Sequence, residues 1–243
     1  MKKIDYCPAC SATYEIQSQT IDIINTVKRI KCNICGTIFF EHDMQKASIY
    51  DAQYNSHFLR YGDLRKAVYY ARVIECSAIA LSRSRSILEI GPGSGLILLI
   101  LKEKGYNIEG VEKDITTAAM LKKATGVRVY SDGLESLHED LKWDIVFSSH
   151  VIEHWTNPRE FLICAKKHMN ENGLMIINTP CADYAQQYPH AWHHCNTRQP
   201  FEHCSLMTSR AFKFCAAAAG LEIINMQKHD KFNSMDIWLT KKT

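Results

Sequence analysis

Downstream of Arg85 the chain alternates between two hydrophobic rhythms. Short apolar runs rich in β-branched residues read as strands: SILEI at 86–90, NIEGVE at 107–112, VRVYS at 127–131, WDIVFSS at 143–149 and GLMIINT at 173–179. Between them LILLILKEKG, ITTAAMLKKA and PREFLICAKKHM carry apolar residues at helical spacing. Asn157 and Pro158 suit the cap and first position of the last of these helices, and Gly105 and Gly220 suit helix exits. This alternation predicts right-handed crossovers and an α/β fold whose mostly parallel sheet has helices on both faces. The C-terminal stretch LEIINMQKHDKFNSMDIWLT reads as two strands about a polar turn, so the sheet should finish in an antiparallel hairpin.

Two further segments precede this core. Leu64, Val68, Ala71, Ile74, Ala78 and Leu81 recur at three- and four-residue steps, which predicts a helix whose apolar stripe packs on the core. Nearer the N-terminus, Cys7 and Cys10 of CPAC are followed after 21 residues by Cys32 and Cys35 of CNICG. Each pair can turn tightly and offer two thiolates to one tetrahedral zinc ion, while the chain between them reads as strand material that joins the pairs. A ribbon of about 40 residues has too little core to stand alone, so metal binding should supply much of its folding free energy. The expected organisation is a zinc ribbon over 1–42 holding structural Zn2+, a helical linker or cap over 43–84, and the α/β core over 85–243.

Composition narrows the class. A chain of 243 residues with 46% apolar content can bury one full core and a small appendage. The longest aliphatic run, Leu96 to Leu101, is far too short to span a bilayer, and MKKIDYCPAC has no apolar stretch behind its lysines. A cytoplasmic protein without a membrane partner is expected. Ten cysteines in such a chain argue for metal binding and reduced thiols rather than disulfides. A formal charge of +3 does not by itself imply a polyanionic partner, and Arg60, Arg65, Lys66, Arg72, Arg83 and Arg85 fit a solvated face.

The ends of the first strands carry the chemistry. Gly91, Gly93 and Gly95 in LEIGPGSG let the backbone turn sharply and approach a ligand. The dinucleotide fingerprint would need glycine at 96, where Leu96 stands, and Glu89 two residues before Gly91 would repel a pyrophosphate but attract an ammonium group. Glu112 ends the next strand, 21 residues after Gly91, where a carboxylate can accept from both ribose hydroxyls. Asp132 follows the third strand and could accept an adenine amino group. These acids describe a ligand with a ribose, an adenine, a cationic end and no phosphate.

At this point the residues resemble the class I S-adenosylmethionine-dependent methyltransferases. LEIGPGSG is similar to their first motif, Glu112 to the ribose acid, Asp132 to the adenine acid, and WDIVFSSHVIEHWTNP to the strand and turn that follow. The resemblance implies a Rossmann-like seven-stranded sheet and S-adenosyl-L-methionine (SAM) held by Glu89, Gly91, Pro92, Gly93, Gly95, Glu112, Lys113, Asp132, Gly133, Ser149 and His150. It also implies methyl transfer by in-line displacement, in which the protein chiefly orients two reactants. A cysteine-pair ribbon followed by YDAQY is similar to a subgroup associated with surface glycans and natural products. O-methylation of a sugar or another small hydroxylated acceptor is therefore expected. The alternatives are an RNA base methyltransferase with a zinc ribbon, or a SAM-binding partner subunit without catalysis. Residues 1–42 hold five Lys or Arg against four acids, with no basic stripe interleaved with aromatics, which argues against nucleic acid.

Two polar clusters remain. If a helix begins near Ser149, His150, Glu153 and His154 gather on its first turn. Three readings stay open: a polar first turn, a general base at His154 or His150 with Glu153 fixing a tautomer, or a divalent metal site. The metal reading comes from the resemblance of this segment to some quinone-pathway O-methyltransferases, which carry Glu where His150 stands. The second cluster, His190, His193, His194, Cys195, His203 and Cys204, should lie in a loop over the acceptor, as acceptor contacts, as a second metal site or as packing, with His203 among the candidate catalytic residues.

Overall fold

The computed structural model describes residues 6–12, 28–41, 63–81, 86–183, 203–229 and 233–242. The elements are β1 (Lys28–Lys31), β2 (Ile38–Glu41), α1 (Leu64–Ala80), β3 (Ser86–Ile90), α2 (Leu96–Glu103), β4 (Asn107–Val111), α3 (Ile115–Thr125), β5 (Val129–Tyr130) and β6 (Trp143–Ser149). They continue with α4 (Pro158–Lys167), β7 (Met169–Pro180), β8 (Ser205–Leu206), α5 (Ser209–Ala218), β9 (Leu221–His229) and β10 (Ser234–Lys241). Seven strands form one sheet in the order β5-β4-β3-β6-β7-β10-β9, and β1, β2 and β8 form a second. The α/β architecture and the closing antiparallel hairpin agree with the hydrophobic rhythm.

The chain divides into two compact units. The first comprises Tyr50–Ser149 and Cys164–Ile177. Here β3 runs parallel to β4 and β6, and β4 runs parallel to β5, so their carboxyl ends share one edge. Ile87, Leu88, Leu98, Leu101, Leu121, Ile145 and Phe147 are completely buried between sheet and helices. Each such side chain contributes about 1.5–3 kcal/mol of transfer free energy. At the sheet edge β5 is shorter than VRVYS predicts, because it pairs only with Gly110 and Val111.

The helix expected before the core is present, but its buried face is rotated. Asp63 caps α1 by accepting from the backbone N–H of Arg65 and Lys66. Ala67, Tyr70, Ala71, Ile74 and Ala78 are buried, whereas Leu64 and Val68 are exposed. Val68 lies about 120° around the helix from Ile74, too far to share its face. Tyr70 takes the inward place, its ring 5.4 Å from that of Phe147.

The second unit comprises Met1–Ile49, His150–Ile163 and Asn178–Lys242. In it β2 pairs antiparallel with both β1 and β8, and Ile38, Phe40, Ala182 and Leu206 form a small apolar cluster beneath that sheet. Thr208 caps α5 by accepting from Ala211 N–H. Gly220, at φ 66°, ends that helix, as its place in the sequence predicts. Among the described residues, no helix is long and apolar enough to cross a membrane.

Candidate active site

The first unit builds a ligand edge from the ends of its parallel strands. After β3 the chain turns through Gly91, Gly93 and Gly95, all at positive φ, and Gly91 N–H donates to Val111 O at 2.9 Å. A side chain on Gly95 would collide with Leu121, its Cβ only 2.7 Å from Cδ2, so α2 can start close against α3 only with glycine there. Glu89 lies within β3, two residues before Gly91. It is 3% exposed, burial pushes its carboxyl up to about 8, and its Oε2 has no hydrogen-bond partner among the described residues. An orphaned buried carboxyl oxygen is costly and calls for a polar partner, and a cation there would favour its ionised form.

Glu112 leaves β4 with its N–H donated to Tyr130 O and its Oε1 accepting from Asp114 N–H at 3.1 Å. Its carboxyl is also raised, first by burial. Asp132, exposed and at φ 77°, and Gly133, at φ 88°, form the bend after β5. Pro92 is buried and Lys113 is exposed at the end of β4. Ser149 closes β6. The residues expected to hold a cofactor thus fall along the shared edge, apart from Glu89 inside its strand and His150, which follows Ser149 in the chain and belongs to the second unit.

The helix expected from Ser149 is absent. Ser149 ends β6, His150 adopts φ 56°, and only a three-residue 3₁₀ turn, Ile152–His154, precedes Pro158. Pro158 fixes the start of α4, and Asn157 Oδ1 accepts from Arg159 N–H, so the helix cannot extend back to residue 150. The turn sorts the three polar side chains by depth. Glu153 is buried at 1% exposure, His154 is half-buried, and the His150 side chain is 40% exposed. His150 N–H donates to Asn178 O at 2.9 Å, which holds the unusual backbone in place.

Glu153 is the centre of this group. Thr179 Oγ1 donates to its Oε2 at 3.1 Å. His150 Nδ1 lies 3.0 Å from its Oε1, a contact that becomes an ion pair only when the ring is protonated, and the geometry is not that of an aligned hydrogen bond. Burial alone would raise this carboxyl, but the imidazoles of His150, His154 and His203 outweigh it and hold the group at about 2. His203 is buried with its ring 5.0 Å from that of His154. One ligand atom each of Glu153, His154 and His203 lies within 4.8 Å of the others, a spacing that could take a metal ion. That trio replaces the His150, Glu153, His154 set expected from spacing, because His150 faces Glu153 from the exposed side. Of the second histidine cluster, His203 and Cys204 join this turn, while His190, His193, His194 and Cys195 lie outside the described residues. Cys204 N–H donates to Glu153 O at 2.8 Å and its thiol donates to His154 O at 3.1 Å. Burial pushes that thiol up to about 11, so it stays protonated. Neither Thr179 nor this use of Cys204 leaves a local sequence signal.

The four ribbon cysteines also converge. The two knuckles repeat one design: Cys7 N–H donates to Ala12 O and Ser11 N–H to Cys7 O, while Cys32 N–H donates to Thr37 O and Gly36 N–H to Cys32 O. Ser11 and Gly36 occupy equivalent positions with φ 59° and 78°. Cys7 Sγ is 3.6 Å from Cys35 Sγ, and Cys10 Sγ is 3.7 Å from Cys32 Sγ. Four sulfurs about 2.3 Å from a tetrahedral ion stand about 3.8 Å apart, so this donor set fits one. The Cys35 thiol is pulled down to about 5, first by its hydrogen bond with Cys7 and then by Thr37, whereas the bond with Cys35 and burial push Cys7 up.

A glycine turn after the first strand, carboxylates at the next strand ends and the seven-strand order define a Rossmann-like methyltransferase. A family model described as a methyltransferase domain matches residues 61–226, and the chain belongs to that family, the SAM-dependent methyltransferases. Solved structures agree in fold. The CcbJ methyltransferase of Streptomyces caelestis superposes with a TM-score of 0.63 at 13% identity, covering 83% of this chain and 100% of that one. Magnesium protoporphyrin IX methyltransferase from Synechocystis gives 0.60 at 12% identity, covering 82% and 99%. Among curated proteins, the ubiquinone biosynthesis O-methyltransferase of Rickettsia conorii is 36% identical over 98 residues, 38% of this chain and 34% of that protein. The same-named protein of Rickettsia canadensis is 36% identical over 100 residues, 38% of this chain and 42% of that protein. The chain thus matches well under half the length of these relatives.

Proposed function

We propose that the protein O-methylates a phenolic hydroxyl of a small, quinone-type precursor, with His150 as the general base. The pair formed by buried Glu153 and exposed His150 carries this reading. Glu153 holds the Nδ1 side of the ring, which leaves the remainder of a 40% exposed imidazole to meet an acceptor. The sugar acceptor expected from the ribbon subgroup is withdrawn: the matching curated relatives are named for ubiquinone biosynthesis. Chemistry favours the same change. Imidazoles titrate near about 6.5 and phenols near about 10, a smaller gap than to an alcohol close to water at about 16.

When bound, SAM supplies a methyl group on a sulfonium, ready for displacement by an oxygen nucleophile. On this reading Glu89 receives the ammonium end, Glu112 the ribose hydroxyls and Asp132 the adenine amino group. On the same reading the His150 ring accepts the hydroxyl proton and Glu153 stabilises the imidazolium that results. The four-cysteine cluster holds structural zinc, supported by the sulfur spacings near the tetrahedral value. The nine cysteines among the described residues form no disulfide with one another, which suits a reducing, cytoplasmic setting.

The test is methyl transfer to a catechol such as 3,4-dihydroxybenzoate, with and without EDTA at a concentration that leaves the ribbon zinc bound. His150→Ala should lower kcat by about 10² while SAM affinity holds, and chelation should change nothing. Loss of activity on chelation would instead favour a metal on Glu153, His154 and His203. Unchanged kcat in His150→Ala would remove the base from this residue.

A further inference from the structure

The ribbon of the second unit makes direct bonds to the segments on either side of the turn that carries His150, Glu153 and His154. Cys204 ties one side. Its carbonyl accepts from Phe40 N–H of β2 at 3.2 Å, its own N–H donates to Glu153 O, and its thiol donates to His154 O. One residue thereby joins a ribbon strand to two consecutive carbonyls of the turn. Arg159, in the first turn of α4, ties the other side. Its Nε donates to Pro8 O at 2.9 Å and its guanidinium also bonds Ser11 Oγ, both in the first cysteine knuckle. Two more bonds fix the knuckles to α5 and its cap: Thr208 Oγ1 donates to Cys35 O at 2.5 Å and the Cys215 thiol donates to Ala9 O at 3.3 Å.

A 3₁₀ turn of three residues has little cohesion of its own, since it closes few hydrogen bonds. His150 adds a backbone conformation that must be held from outside. A turn of this kind takes its geometry from its attachments.

We infer that Cys204 and Arg159 are positioning residues, through which the cysteine-pair ribbon sets the placement of Glu153 and so the orientation of His150. This inference rests on the reading of His150 as the base. The ribbon is then part of the acceptor machinery rather than an appendage that merely folds.

Two variants test it in the zinc-loaded 243-residue protein with 3,4-dihydroxybenzoate as acceptor: Cys204→Ala, which removes the thiol bond to His154 O and keeps the backbone bonds of residue 204, and Arg159→Gln, which removes the guanidinium bonds to the first knuckle. The second readout is 19F NMR of protein labelled with 5-fluorotryptophan, in which Trp155, next to His154, reports the turn and Trp143 of β6 serves as the control. Each variant should lower kcat about tenfold, with KM for the catechol and SAM affinity within twofold, and should move the Trp155 resonance but not that of Trp143. Cys204→Ser, whose hydroxyl can donate to the same carbonyl, should regain most of the rate. Combined with His150→Ala, neither variant should lower kcat further, because all three act through one imidazole. Losses that multiply with that of His150→Ala, or a Trp155 resonance unmoved in both variants, overturn the inference. If His150→Ala alone leaves kcat unchanged, the base assignment fails separately, and a moved Trp155 resonance still upholds the ties.

Discussion

The two units place their functional groups in opposite ways. In the first, each group sits at a strand end, within or a few residues beyond its own strand: Glu89 and Gly91 with β3, Glu112 with β4, Asp132 with β5. In the second, the groups come from distant parts of the chain. Glu153 meets Thr179 and His203, and its carbonyl is held by Cys204, which is held in turn by Phe40. A parallel sheet brings its strand ends together by topology, so local motifs suffice for a ligand edge. A short turn has no such scaffold and must be fixed by long-range contacts.

The contrast predicts that damage to the ribbon and damage to the ligand edge separate cleanly. The largest effect belongs to Cys32→Ser. If the cluster holds structural zinc as proposed, binding worth on the order of 10 kcal/mol is at stake, so the variant should lose that metal on metal analysis, with methyl transfer falling at least about 10²-fold. SAM affinity by calorimetry should stay within about threefold. Equal loss of SAM affinity would show that the ribbon supports both units.

Next comes Glu112→Ala in the first unit. Removing a charged acceptor should cost about 2–3 kcal/mol of SAM affinity by titration calorimetry, with the Trp155 resonance unmoved. Asp132→Ala should cost less, since that side chain is exposed. Binding of the Glu112 variant as tight as the parent's would refute the ribose assignment.

Glu89 offers a proton count. With its carboxyl at about 8 it is mostly protonated at pH 7, and an ammonium beside it favours the ionised form, so SAM binding should release close to one proton. Calorimetry in two buffers of different ionisation enthalpy measures this. Apparent affinity should therefore rise as pH increases from 6 towards 8, and Glu89→Gln should abolish both the release and that rise. Proton uptake on binding would contradict the assignment.

The smallest expected change is Thr179→Val. It removes one hydrogen bond to Glu153, worth about 1 kcal/mol of stability by denaturant titration, and should lower kcat more than SAM affinity. A fall in SAM affinity alone would move Thr179 to the other side of the comparison.

The sequence by itself determined the α/β alternation, the closing hairpin, the cysteine pairs and the acids at the strand ends. Each depends on residues close together in the chain: period-two and period-3.6 patterns, a CxxC turn, a carboxylate at a strand end. Local pattern went astray where burial depends on neighbours it cannot see. Val68 fits a helical stripe yet faces outward because Tyr70 fills the space against Phe147. His150, Glu153 and His154 have the spacing of a helical face, yet Pro158 and the bonds from Asn178 and Cys204 impose a strained turn instead. Only the tertiary structure decided that Glu153 would be buried among imidazoles brought from residues 150, 154 and 203, and that a ribbon strand would stand behind it. Such an arrangement draws its stability from contacts between segments far apart in the chain, and no window of the sequence contains both partners.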